Sequence, residues 1–270
     1  FTAVTLIYRH FLGKAAYDYL EHRAYLPVEG ILICAISFAQ GRLQPSHSRI
    51  VWTAGLIVIA ALSAGTLINQ SKYRNPMTFY ESAIRSNPEC AMAYYNRAKY
   101  RRMAGDSAGA MSDYNQAIEV RPDFADAYNN RGNLRKDKSD LPGAMLDYNE
   151  AIRLDGKLAS AYFNRGAARM GAGDKQAALE DFSSAILLNP SYQKALINRG
   201  AIYYEFGQLD LALEDFSKAI QANSKSPDPW RNRGSVRFRM RDLSGACADW
   251  QAASARGSKD GAALERRHCR

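Results

Sequence analysis

"AYYNRAKYRRMAGDSAGAMSDYNQAIEVRP", Ala93 to Pro122, decides how the rest of the chain is read. Its Asn96-Arg97 pair returns as Asn130-Arg131, Asn164-Arg165, Asn198-Arg199 and Asn232-Arg233, each 34 residues after the last. Units laid out from Ala91, Ala125, Ala159, Gln193 and Pro227 keep the other landmarks in phase. The eighth position is small (Ala98, Gly132, Gly166, Gly200, Gly234), and alanine fills the twentieth (Ala110, Ala144, Ala178, Ala212, Ala246) and twenty-seventh (Ala117, Ala151, Ala185, Ala219, Ala253). The twenty-fourth position is always a ring: Tyr114, Tyr148, Phe182, Phe216, Trp250. A ring on one helix needs Gly or Ala where the facing helix approaches, so each unit reads as two antiparallel helices packed ring into hollow. Asp106, Asp140, Asp174 and Asp242 stand where the second helix begins and are natural N-caps. Gly105, Gly173 and Gly207 supply the turn before it. Pro122 and Pro190 close their units, where Gly156 and Ser224 depart from the pattern.

A period of 34 with these landmarks resembles the tetratricopeptide repeat, and the resemblance runs from Pro76 to the C-terminus. It implies an all-α solenoid of five full repeats, 91–124, 125–158, 159–192, 193–226 and 227–257, with a half repeat at 76–90 ahead of them. The half repeat shows in Tyr80, Ala83, Ile84 and Pro88, and Asn75-Pro76 reads as an N-cap followed by proline at the first helical position. Residues 259–268 read as a polar capping helix over the last exposed face.

Ahead of the repeats, residues 1–75 read as a membrane segment with one or two transmembrane helices. Val51 to Ile68 carries no charge over 18 residues, and a helix over about 50–70 spans ~30 Å. A second span, about 24–40, is shorter in apolar content and contains Pro27 and Glu29 near its start. The run begins too far into the chain for a cleaved signal peptide. With both spans present, Arg9, Lys14, Arg23, Lys72, Arg74 and Arg85 lie on the side of the repeats against Arg42 and Arg49 in the loop, a charge bias favouring cytoplasmic repeats. The chain has 270 residues and opens at Phe1 without methionine, which reads as the tail of a longer protein. Its net charge of +9 is divided +4 over the first 75 residues and +5 over the rest. Without clustered Lys/Arg beside stacking aromatics this balance points away from nucleic acid.

Two further residue types recur. Arginine fills the seventh position in every unit and aspartate the twenty-third, giving the pairs Arg97/Asp113, Arg131/Asp147, Arg165/Asp181, Arg199/Asp215 and Arg233/Asp249. Folding each hairpin about its fifteenth and sixteenth positions brings the two level, as a ladder of structural ion pairs or, alternatively, an arginine stripe for phosphate. Asn96, Asn130, Asn164, Asn198 and Asn232 line the predicted inner face. A row of amides, each donor and acceptor, suits an extended peptide backbone read without regard to sequence; the plainer reading is asparagine tolerated on a solvated groove. The row resembles the asparagine ladder of O-linked N-acetylglucosamine transferases. Tyr95, Phe163, Tyr204 and Phe238 share that face with Lys99, Arg102, Lys136, Lys194, Arg231 and Arg239, and with Asp126, Asp137, Glu205 and Asp228.

Catalytic chemistry is not expected, nor a metal or cofactor. His10, His22, His47 and His268 are scattered, and "GAGDKQAA" from Gly171 resembles a phosphate loop only superficially, with Gln176 in place of its third glycine. Among Cys34, Cys90, Cys247 and Cys269 no C-x-x-C pair occurs; fold-back of the capping helix would let Cys247 and Cys269 meet, but the expected reading is two buried thiols.

"EHRAYLP", Glu21 to Pro27, before an apolar run, then one further span and "YRNP" at Tyr73 to Pro76, resembles the rear half of the transmembrane, tetratricopeptide-containing protein O-mannosyltransferases and their bacterial relatives, over Tyr19 to about Asn96. That resemblance implies a GT-C-type transferase using polyprenyl-phosphate sugars, whose acidic catalytic residues lie upstream of this stretch. It places His22 and Arg23, with Glu21 and Tyr25, at an interface near a lipid-linked phosphate, the alternative being plain interfacial anchoring. It also implies repeats outside the cytoplasm, against the charge bias. The expectation is a membrane-anchored polypeptide-binding solenoid, with a non-enzymatic scaffold or a cytoplasmic co-chaperone-like adaptor as alternatives.

Overall fold

The computed structural model describes residues 75–269, in which twelve helices and no strand occur. The expected spans at 24–40 and 50–70, and His22 and Arg23, lie outside the described residues; among the described residues no helix is long and apolar enough to cross a membrane. The chain divides into Phe1–Ser82 and Ala83–Arg270. Of the first unit only 75–82 is described, within and just before helix α1 (Pro76–Ser86), whose amide at Met77 is capped by the Asn75 side chain at 2.9 Å.

In the second unit five helical hairpins follow: α2 (Ala91–Met103) with α3 (Ser107–Val120), α4 (Ala125–Asp137) with α5 (Leu141–Leu154), α6 (Ala159–Gly171) with α7 (Lys175–Leu188), α8 (Gln193–Glu205) with α9 (Leu209–Ala222), and α10 (Asp228–Arg239) with α11 (Leu243–Ser254). Helix α12 (Lys259–His268) packs on α11. Asp106, Asp140, Asp174 and Asp242 accept hydrogen bonds from Gly109, Gly143, Ala177 and Gly245 at 2.8–3.1 Å, satisfying orphan amides of the second helices. Gln208 holds the same place before α9 and makes no such bond. The turn ahead of each cap is left-handed, with φ 84° at Gly105, and Ser139 and Arg241 are forced into the same region at 64° and 67°.

The rings of the twenty-fourth position are fully buried and form the core. A methyl on Gly132 would lie 2.7 Å from the Tyr148 ring, and one on Gly234 2.6 Å from that of Trp250, so hairpin closure depends on the missing side chain. Each second helix packs on the next repeat's first helix, and first helices also approach one another, α4 against α6 and α8 against α10. That second set of contacts makes the first helices the inner row.

One expectation is overturned at the C-terminal end. Cys247 and Cys269 are not two thiols; they form a disulfide across 5.6 Å between Cα atoms, joining α11 to the residue that follows α12. The alternative of a meeting on fold-back is the one realised: α12 packs on α11 and brings residue 269 over it. At the end of the same cap, His268 packs against both Phe238 and Trp250 at centroid distances of 4.6 and 5.6 Å, the two rings themselves 5.5 Å apart.

Candidate functional site

What fixes the inner row is the charge ladder behind it. Each seventh-position arginine donates two bonds to its own aspartate, as Arg131 Nε to Asp147 Oδ2 at 3.0 Å and Nη2 to Oδ1 at 2.7 Å. The five aspartates are 1–2% exposed, so these are buried bidentate pairs. The free Nη1 reaches the preceding repeat: Arg131 to Asn115 at 2.9 Å, Arg165 to Asn149 at 2.8 Å, Arg199 to Ser183 at 3.0 Å and Arg233 to Ser217 at 3.3 Å. The ladder is thus continuous across repeats. Asp215 holds the Arg199 guanidinium above its ordinary pKa.

A second set of arginines, not singled out in the sequence, completes it. Arg101, Arg135, Arg169 and Arg237 stand 2.9–3.0 Å from Asp113, Asp147, Asp181 and Asp249. Each also donates to a backbone carbonyl of the second helix, Gly109, Gly143, Ala177 or Gly245. The signal was there, arginine at the eleventh position of four units; the fourth has Tyr203, whose ring lies 5.7 Å from the Arg199 guanidinium. With both carboxylate oxygens taken up inside the hairpin, the seventh-position arginines are not a stripe open to phosphate.

The five asparagines of the sixth position are all half-exposed on the inner row. Asn130 donates its amide to the Tyr95 hydroxyl at 2.9 Å and Asn164 donates to Asn129 at 2.9 Å, each bridging to the preceding repeat. Asn232 accepts from Arg231 at 3.3 Å. Tyr95 and Phe163, read from sequence as groove aromatics, pack partly into the core, Tyr95 4.8 Å from Phe124 and Phe163 5.0 Å from Tyr192. Several of the groove cations are engaged: Arg102 with Asp137 at 3.1 Å, Arg231 with Asp260 at 3.1 Å, and Arg239 with the Tyr204 carbonyl at 2.9 Å. Among the described residues Lys99, Lys136 and Lys194 have no acidic partner, and no group of His, Cys, Asp or Glu is placed to hold a metal.

Two cavities open between neighbouring first helices, at the same place three repeats apart. One, about 400 Å³, is lined by Lys99, Arg102, Met103, Tyr114 and Asn130. The other, about 280 Å³, is lined by Ala201, Tyr204, Glu205, Phe216 and Asn232, with Ser235. Repeat position for repeat position the first five residues of each set correspond, so the fold makes the hollow and the sequence decides its chemistry.

With that geometry in place the relationships to known proteins are clear. A tetratricopeptide-repeat family model matches residues 79–118 and 163–227, and a second model of the repeat matches 102–138 and 132–173. Between them they cover 79–227 without a gap. These residues are tetratricopeptide repeats, and the described part of the chain is a tetratricopeptide-repeat solenoid. Among solved structures it is similar to YrrB, described as a TPR protein with an unusual peptide-binding site, at 22% identity and a TM-score of 0.56 over 70% of this chain and 97% of that one. It is similar to the MamA protein at 24% identity and a TM-score of 0.54, over 63% of this chain and 92% of that one. A third likeness, to pilF of Pseudomonas aeruginosa, has 19% identity and a TM-score of 0.59, over 64% and 78%. No curated protein matches the chain.

Proposed function

We propose that the chain binds an extended polypeptide along its inner row of first helices, and that a membrane segment within residues 1–75 anchors it. The observation that carries the binding reading is the half-exposed asparagine row at 34-residue spacing, interrupted by two cavities in the same register. Side-chain amides repeated at that period match a backbone that presents donors and acceptors all along its length. The peptide-binding site in the name of YrrB agrees with this reading.

The anchoring rests on the uncharged run Val51 to Ile68, and a place at the rear of a glycosyltransferase-like membrane protein rests on the resemblance of Tyr19 to Asn96. For the side of the membrane we favour the extracytoplasmic one. The Cys247–Cys269 disulfide supports it, because such bonds persist in oxidising compartments.

Selection of peptides from a display library on the full chain, followed by hydrogen exchange of the best complex, tests the binding reading. Protection along α2, α4, α6, α8 and α10 is expected; protection confined to second helices overturns it. Topology is read by protease cleavage at the loop around Lys225 in sealed vesicles of known orientation. Cleavage only from the cytoplasmic side overturns the extracytoplasmic placement.

A further inference from the structure

In the second repeat the buried Tyr148 hydroxyl donates to Asn133 at 2.8 Å. In the third and fourth the equivalent ring is Phe182 or Phe216, which needs no partner, and in the fifth the Trp250 indole donates to the Arg231 carbonyl at 3.3 Å. The first repeat breaks this rule. Tyr114 is 0% exposed, yet among the described residues its hydroxyl has no hydrogen-bond partner. The residue that stands where Asn133 stands is Lys99, and an ammonium offers three donors and no acceptor.

Two donors therefore border the larger cavity, and among the described residues the only acceptor that a lining side chain other than Tyr114 itself brings to it is the neutral Asn130 Oδ1. Burial pushes the Tyr114 pKa from 10.0 up to about 12, so the phenol keeps its proton. Lys99 has no acidic partner among the described residues; its ammonium lies 5.4 Å from the centre of the Tyr95 ring. Arg102 sits at the same cavity, half-neutralised by Asp137, and the Asn130 amide donates to Tyr95. A single oxyanion placed in this hollow accepts from both Tyr114 and Lys99, which no neutral group does as well. The corresponding cavity of the fourth repeat lacks all of this: Ala201 replaces the lysine, Phe216 the tyrosine, and Glu205 lies where Met103 does.

We propose that the cavity of Lys99, Arg102 and Tyr114 is a subsite for one acidic side chain, Asp or Glu, of the bound polypeptide. The inference deepens the groove reading above and rests on it. It gives the row a polarity: a carboxylate is read at the first repeat and not at the fourth, so an extended ligand lies in one register.

The test is peptide selection from an unmodified random library on the full chain, beside a variant carrying Lys99→Ala and Tyr114→Phe. Those substitutions install the residues the fourth repeat already has at these places, so the hairpin still closes. Enrichment of Asp or Glu at one position is expected for the parent, falling to background in the double variant. For a selected peptide, changing that acid to its amide should cost about tenfold in affinity with the parent and less than twofold with the variant. Lys99→Glu should exchange the preference for Lys or Arg. Peptides enriched without an acidic position overturn the subsite and leave the groove reading standing; no enrichment of any peptide overturns both.

Discussion

Arg135 stands 3.0 Å from the same Asp147 carboxylate that Arg131 already holds at 2.7 Å, so one buried acid closes the hairpin against two arginines. Asp147 is 2% exposed and Arg131 14% exposed in its side chain, which puts the triad in surroundings that punish a missing partner. Replacing Asp147 by Asn leaves both guanidinium groups without their counter-charge, and a loss of about 3–5 kcal/mol in folding stability is expected. Asp215→Asn strands one arginine instead of two, since Tyr203 fills the other place, and should cost less. Denaturant titration of the two variants ranks them; an unchanged midpoint for Asp147→Asn contradicts the buried ladder, as does an unchanged one for Arg165→Leu.

The fourth repeat has a second irregularity. Gln208 precedes α9 without capping it, while Asp106, Asp140, Asp174 and Asp242 each cap the corresponding helix. Gln208→Asp supplies the missing acceptor at a positive helix end and should raise stability by about 1 kcal/mol. A thermal melt at neutral pH reads the gain; protonating the new carboxyl at low pH should remove it.

Much of this was legible because the repeat turns a weak local signal into a strong one. One Arg and one Asp 16 residues apart mean little, but five such pairs in phase with five rings define how each hairpin folds, and Arg97 does reach Asp113 at 2.7 Å. The eleventh-position arginines recur in four of the five units, with Tyr203 in the fourth, and their role rests on the hairpin geometry that brings them to the same aspartates. The repeat pattern marks Tyr114 as a core ring; that its hydroxyl lacks a partner follows from Lys99 standing where Asn133 stands in the second repeat. The disulfide was legible only as the lesser of two readings, a meeting of Cys247 and Cys269 on fold-back of the cap. Residue 269 follows the last helix, outside the period, so no repeat arithmetic places it.

Ring and hollow should be separable by adding one carbon. A methyl at Gly234 would lie 2.6 Å from the Trp250 indole, whereas at Gly200 it would lie 3.0 Å from the Phe216 ring. Overpacking of this kind costs about 1–3 kcal/mol, with Gly234→Ala expected nearer the upper end and Gly200→Ala nearer the lower. Equal effects, measured by chemical denaturation, would contradict the packing order.

The bond between Cys247 and Cys269 closes a separation of 22 residues and fastens α12 over Phe238 and Trp250. Cutting it by Cys269→Ala or by reductant should cost about 3 kcal/mol and loosen α12 before the rest. Hydrogen exchange should show faster exchange in 259–268 with α2 to α7 unaffected. Uniform loss of protection along the solenoid would mean that the cap closes the whole array.

The Tyr114 hydroxyl also predicts an alkaline limit. Its pKa is raised from 10.0 to about 12, chiefly by burial, with Tyr95 adding to the rise and Arg102 opposing it. A raised folded-state value means that the folded protein holds this proton more tightly than the unfolded chain. The contribution to stability is therefore fully present below pH 10 and is lost as pH rises through about 12. Phe182 and Phe216 show that the position accepts a ring without the hydroxyl, so Tyr114→Phe folds and removes the titration. Parent and variant should run parallel from pH 7 to 9.5 and diverge above pH 10, the parent falling faster by up to about 2–3 kcal/mol. Parallel curves to pH 12 would show the hydroxyl to be solvated, and with it the cavity to lack the unpaired donor on which the acidic subsite depends.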